Sequence, residues 1–254
     1  MWEAVIADMG VALLAILKRE FLAYFFSPLA YVVLTAFLFI NGYVFYAILL
    51  SLNSPETSRQ ELMALFFKNV FYWIFMMLVS SIVAMRLISE ERKSGSIEAL
   101  LTAPVGEGTV VTGKFLGGFT FFLFLWLPTV LYPVALSRYG RIDFGPIASS
   151  YLGIALFGGL FIAAGTFASS LTKNQIIAAI VSFVMILAIF LAGIFRELVT
   201  DPNLKEALSY LNLIEHMDDF ARGIVDTRRI VYVLSSVVFF LLLSARVLHG
   251  NKGK

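Results

Sequence analysis

Ile147-Ala-Ser-Ser-Tyr-Leu-Gly-Ile-Ala-Leu-Phe-Gly-Gly-Leu-Phe-Ile-Ala-Ala-Gly-Thr-Phe-Ala-Ser-Ser-Leu171 contains no charged side chain, and after Thr172-Lys-Asn-Gln175 a second uncharged run covers residues 176–195. A helix needs about 20 such residues to cross a hydrocarbon layer roughly 30 Å thick, because lipid offers no partner for an unpaired peptide group. The stretch therefore predicts two membrane spans joined by a short hairpin. Working outward, residues 29–52, 66–88, 115–136 and 230–248 are further apolar runs of spanning length, which makes six in all. Lys68 and Arg86 lie close enough to the ends of the second run to snorkel toward water. Composition agrees: 60% of residues are hydrophobic and 14% charged, against about one quarter charged in soluble domains. The expected fold is an all-α integral membrane protein, a single transmembrane domain over residues 1–254.

Six spans place both termini on one side, and the lysine and arginine bias should say which. With the termini inside, ten of the 19 basic residues face the cytoplasm. The other nine include Arg196, Lys205, Arg222, Arg228 and Arg229, all in one long connection with seven carboxylates. Without that connection the bias is ten against four, so the termini are expected to be cytoplasmic and the protein multi-pass in the inner or plasma membrane. The absence of cysteine excludes disulfides and thiolate metal sites. A net charge of +2 gives no reason to expect a nucleic-acid partner. Glu3 and Asp8 stand where a cleaved signal peptide would be basic.

Residues 11–26 are apolar except for Lys18, Arg19 and Glu20, and end at Ser27-Pro28. The uncharged part is too short to cross, so an interfacial helix is expected. In the fourth span Ala155, Gly159 and Ala163 recur every four residues beside Gly158 and Gly165, a pattern that lets helix backbones approach closely in lipid, within one subunit or between two. Residues 196–229 show helical spacing at Leu204, Leu208 and Leu211 and again at Phe220, Ile224 and Val225, and Pro202 suits a helix start. One or two short helices are expected there. No internal repeat is evident.

Several candidate chemistries can be weighed. Gly108-Thr-Val-Val-Thr-Gly113-Lys114 has the spacing of a phosphate-binding loop, but Phe115 occupies the Ser/Thr position and a membrane span follows, so Lys114 is read as a cation at the span's end. Glu215, His216, Asp218 and Asp219 cluster without a second nearby histidine, and surface solvation explains them better than a metal. The span interiors lack ionisable side chains, which argues against a proton or sodium relay. Asn41, Ser80 and Ser81 are the main polar groups at depth, with Ser182. They suit a pathway for an amphiphilic or lipid-like substrate, while for Asn41 hydrogen bonding from helix to helix is an equal alternative. No catalytic, cofactor or metal site emerges, so an enzyme is not expected.

The charged connection Ser89-Glu-Glu-Arg-Lys-Ser-Gly-Ser-Ile-Glu-Ala-Leu-Leu-Thr-Ala-Pro104 is the most informative segment for function. Ile97, Leu100 and Leu101 fall on one helix face. Ser96 is a good N-cap, Glu98 complements the helix dipole and Pro104 ends the turn. A simple connection needs no apolar face; this one reads as a plug for a groove on a soluble protein.

On these residues the chain resembles the permease subunits of type-2 ABC transporters. The resemblance rests on Lys18-Arg-Glu-Phe21 with Ser27-Pro28, on residues 90–104, on Gly113-Lys114, and on Glu215-His-Met-Asp-Asp-Phe-Ala-Arg-Gly-Ile-Val225, whose wording is similar to the gliding-motility branch. It implies a cytoplasmic coupling helix at 96–102 within a coupling loop at 89–104, docked on a separate cytoplasmic ABC ATPase that carries ATP and magnesium. Glu90, Glu91, Arg92, Lys93, Gly95, Ser96, Ile97, Glu98, Leu100 and Leu101 would form that contact. An external gate would lie within 196–229 and include His216, Asp219, Phe220, Arg222 and Gly223. The partners implied are the ATPase, a second permease subunit and membrane lipid, and the implied work is ATP-driven export. The alternative is a mechanotransmission subunit that passes force to an envelope partner and moves no substrate.

Overall fold

The computed structural model describes residues 2–51, 65–67, 69–96, 106–138, 143–195, 201 and 210–250. Among them the elements are helices and turns, with no strand. The helices are α1 (Trp2–Phe25), α2 (Pro28–Ser51), α3 (Val70–Met85), α4 (Ser89–Ser94), α5 (Glu107–Trp126), α6 (Leu131–Ser137), α7 (Phe144–Leu171), α8 (Gln175–Ile194), α9 (Leu213–Ala221) and α10 (Thr227–Gly250), with a 3-10 turn at Leu127–Val130 between α5 and α6.

Six stretches are long and apolar enough to cross a membrane: Pro28–Leu50, Val70–Ser94, Glu107–Ser137, Phe144–Leu171, Gln175–Ile194 and Thr227–Gly250. They coincide with the six expected from hydropathy, but the third starts eight residues earlier, at Glu107 rather than 115. Gly106 is the N-cap and its carbonyl accepts from the Thr109 and Val110 amides, so Gly108, Gly113 and Lys114 are helical residues and no phosphate loop is formed. Pro128 lacks an amide proton and interrupts the third span as the 3-10 turn. Thr129 repairs that site by donating to the Trp126 carbonyl at 2.7 Å and pairing with the Tyr151 hydroxyl at 2.9 Å.

α7 is the hub. Of its most apolar window 72% is buried, against 22% for each of the first and fifth spans and 17% for the sixth. Its glycines explain why. A Cβ on Gly158 would stand 2.1 Å from the Phe122 ring, and one on Gly165 would stand 2.4 Å from Ala84 Cβ and 2.7 Å from Ser182 Oγ. Gly158 and Gly165 of the fourth span therefore seat helices of the same chain, α5 at Gly158 and both α3 and α8 at Gly165.

The segment at 11–26 is helical, but α1 begins already at Trp2. α1 runs along the first half of α5. A Cβ on Gly113 would meet Ile16 at 2.8 Å and one on Gly117 would meet Glu20 Cβ at 2.5 Å, so these two glycines set how closely the helices approach.

Candidate functional site: a charged clasp at one end of the bundle

After α3 the chain turns through Arg86, Leu87 and Ile88 and resumes as α4, which carries the charged residues 90–93. Ile88 supplies no side-chain cap to α4. Ser169, at the end of α7, does so instead: its Oγ accepts from the Ile88 amide at 3.1 Å and the Ser89 amide at 2.9 Å, and donates to the Met85 carbonyl at 2.9 Å. Arg92 donates to the carbonyl of Ser170 next door. The start of the charged connection is thus pinned to the fourth span. Gly95 then ends α4 in the left-handed region at φ 75°, a conformation that glycine adopts without steric cost.

At the centre of this end is Lys114, on α5 and only 1% exposed. Its Nζ lies 2.8 Å from Glu20 Oε1 on α1 and 2.9 Å from Glu91 Oε1 on α4. Arg19 pairs with Glu20 at 2.9 Å and also with Glu91. Two cations and two carboxylates close a clasp of zero net charge between three helices. Sequestering an isolated ammonium would cost several kcal/mol, so the carboxylates are what allows Lys114 to be there. Burial raises the Glu20 carboxyl, but the adjacent Lys114 and Arg19 outweigh it and hold Glu20 below the ordinary carboxylate range. Tyr24 fastens α1 further: its hydroxyl donates to the Val83 carbonyl at 2.7 Å, its ring stacks on Phe121 at 4.3 Å, and the Arg86 guanidinium lies 5.1 Å above it. Lys114 is therefore not the water-facing cation expected at the end of the third span. Because α5 begins at Glu107, residue 114 falls two turns inside the helix.

The residues assigned to coupling have distinct placements. Glu91 and Arg92 are turned into the fold, and Glu90 pairs with Arg86 at 3.1 Å. Lys93, Gly95 and Ser96 are exposed, and Ser96 Oγ lies 2.8 Å from Ser94 Oγ. Ile97, Glu98, Leu100 and Leu101 lie outside the described residues. At the start of α5, Glu107 is 3.5 Å from His249 of α10.

At the opposite end, α9 occupies the part of the expected gate that is described; residues 196–200 and 202–209 lie outside it. Asn212 caps α9 by accepting from the Glu215 amide at 3.2 Å. The far end closes on Gly223 at φ 84°, with the Gly223 and Ile224 amides donating to the Phe220 and Asp219 carbonyls at 3.0 and 2.8 Å. His216 and Phe220 face inward, and a Cβ on Gly153 of α7 would meet Met217 at 3.0 Å and Phe220 at 3.1 Å. Asp219 pairs with Arg229 and Asp218 with Arg222 at 2.7 Å. These carboxylates answer arginines, and no group of three or more metal-ligating side chains converges among the described residues.

Two of the four deep polar residues are turned onto their own helices. Asn41 donates to the Phe37 carbonyl and Ser81 to the Met77 carbonyl, each at 2.8 Å, while Ser80 is fully buried. What the sequence reading missed is the role of Glu20, Lys114 and Ser169. The available signal was Gly113 and Gly117 one turn apart, flanking a lysine that lies opposite a carboxylate in the preceding amphipathic segment.

The family model described as ABC-2 family transporter protein matches residues 51–214. That stretch includes the charged connection and the Lys114 helix, and leaves α1, most of α2 and the α9 motif outside it. No curated protein matches the chain.

Proposed function

The chain belongs to the ABC-2 family of transporter proteins, and from that membership we propose that it is the permease subunit of an ATP-driven exporter, worked by a separate cytoplasmic ATPase. The observation that carries this reading is the clasp of Lys114, Glu20, Glu91 and Arg19 at the base of the connection. A soluble partner that pulls on residues 96–104 pulls first on α4. Through Glu91 and Lys114 that displacement reaches α5 and α1, and through Ser169 and Arg92 it reaches the hub helix α7. A bundle whose spans pack through glycine seats moves such pieces as rigid bodies. The clasp end is cytoplasmic in this reading, α1 lies at the interface between headgroups and acyl chains, and α9 covers the exit. A second permease subunit completes the pathway in this reading.

The test is docking. Glu98→Lys with Leu100→Asp is expected to abolish co-purification of the ATPase while the permease still inserts in the membrane; wild-type recovery of the ATPase by this double variant rules the reading out. ATP hydrolysis stimulated by an amphiphile in the reconstituted complex separates transport from force transmission, in which hydrolysis would respond to an envelope partner instead.

A further inference from the structure

Spans five and six, α8 and α10, both pack along α7 and leave a groove of about 700 Å³ between them. Leu160 of α7 lies at its floor, Ala188 and Ala192 line one wall, and Tyr232, Ser235 and Ser236 begin the other. The volume lies within the range of small-molecule sites, roughly 300–1,000 Å³. We infer that this groove holds one acyl chain of a phospholipid whose phosphate is bound by Arg228.

Depth, length and charge carry the assignment. On α10 the lining runs from Tyr232 to Phe240, which at 1.5 Å per residue is about 12 Å of helix. One leaflet of a roughly 30 Å hydrocarbon core is about 15 Å deep. A straight lipid tail fits that length. A helix of a second copy, about 10 Å across and spanning the whole bilayer, needs a longer seat. Small residues make room here: Ala188 and Ala192 are four apart on α8, and Ser235 and Ser236 stand opposite. Both serine hydroxyls donate to the Tyr232 carbonyl, at 2.8 and 2.9 Å, so they present methylene rather than free hydroxyl to an occupant.

Arg228, Tyr232, Ser235 and Phe239 fall on one face of α10 at the i, i+4, i+7, i+11 spacing. Arg228 is exposed about 6 Å beyond Tyr232 toward the end of the span, where a headgroup phosphate sits when the tail is in the groove. The adjacent Arg229 is committed to Asp219 and to the Glu215 carbonyl. The lipid belongs to the leaflet on the α9 side, and the inference needs no assumption about which face of the membrane that is.

The test uses the full-length chain in proteoliposomes with two photoreactive lipids that carry a diazirine on the acyl chain, phosphatidylglycerol and diacylglycerol. Labelling by phosphatidylglycerol is expected to concentrate on peptides containing Ala188–Ala192 and Tyr232–Phe240, above that on the exposed α2 face at Val32 and Phe39. Ala188→Trp with Ser236→Phe should fill the groove and reduce its labelling to the α2 level. Arg228→Gln should lower labelling by phosphatidylglycerol about tenfold, the worth of one charge-assisted hydrogen bond, and leave labelling by diacylglycerol unchanged. Where the filled variant fails to insert, a nitroxide on A188C in the otherwise cysteine-free chain replaces it, and added phospholipid is expected to immobilise the label. Groove labelling equal to that of α2, a label indifferent to phospholipid, or a disulfide between two A188C copies overturns the inference.

Discussion

Lys114 Nζ and Glu20 Oε1 stand 2.8 Å apart although 94 residues separate them in sequence, and neither is more than 13% exposed. That pair joins the first helix to the third span at a point that the segment after the second span also reaches, through Glu91.

Lys114→Met should be the most damaging change at this end. It leaves Glu20 and Glu91 close together with only Arg19 to balance them, and breaking a buried pair from one side costs about 3–5 kcal/mol. Thermal unfolding in detergent should show the loss, and Lys114→Met combined with Glu20→Gln and Glu91→Gln should recover most of it. A triple variant no more stable than the single one would refute the clasp.

Acid should loosen the same place. Glu20 titrates lower in the folded chain than its ordinary value of 4.5, so its contribution is complete above that value and disappears as pH falls through the lower folded value. Proteolysis near α1 is expected to rise as the pH is lowered below 4.5. Glu20→Gln should flatten that dependence; an unchanged acid profile in this variant would count against the pairing.

Gly165→Ala should destabilise the bundle by about 1–3 kcal/mol, the usual cost of overpacking, because the added methyl falls 2.4 Å from Ala84 Cβ, an atom fixed to the α3 backbone. Ala84→Gly in the same chain should restore part of the loss, as measured by the midpoint of thermal unfolding. Independent, additive effects would mean that the two helices do not meet there.

Ser169→Ala removes the acceptor of the Ile88 and Ser89 amides. Stranding buried amides costs about 1–3 kcal/mol, and hydrogen exchange at residues 88–94 should accelerate while that of α10 stays unchanged. Ser169→Thr, which keeps the hydroxyl, should behave more like the parent.

The six spans were legible because crossing lipid demands a length of apolar sequence that nothing else in the chain imitates. The family was legible in residues 90–104 for a related reason: charge followed by an apolar face is wasteful in a plain connection. Lys114 was not. Hydropathy puts a cation at the nearest water, and only the seats at Gly113 and Gly117 reveal that α1 covers it. The small residues of α7 announced close packing but not their neighbours, since Gly158 accepts a ring and Gly165 an alanine for reasons of shape that spacing does not encode. Asn41 looked poised for another helix or a pathway and Ser81 for a pathway, yet each donates to a local carbonyl four residues back.

Glu20, Glu91 and Lys114 all precede the fourth span in the chain, whereas Ser169 and Ser170 arrive only at its end. The carboxylates that neutralise Lys114 are therefore made before Ser169, and α4 is fastened a second time once the fourth span is in place. Charge balance within the clasp thus owes nothing to any residue beyond the third span.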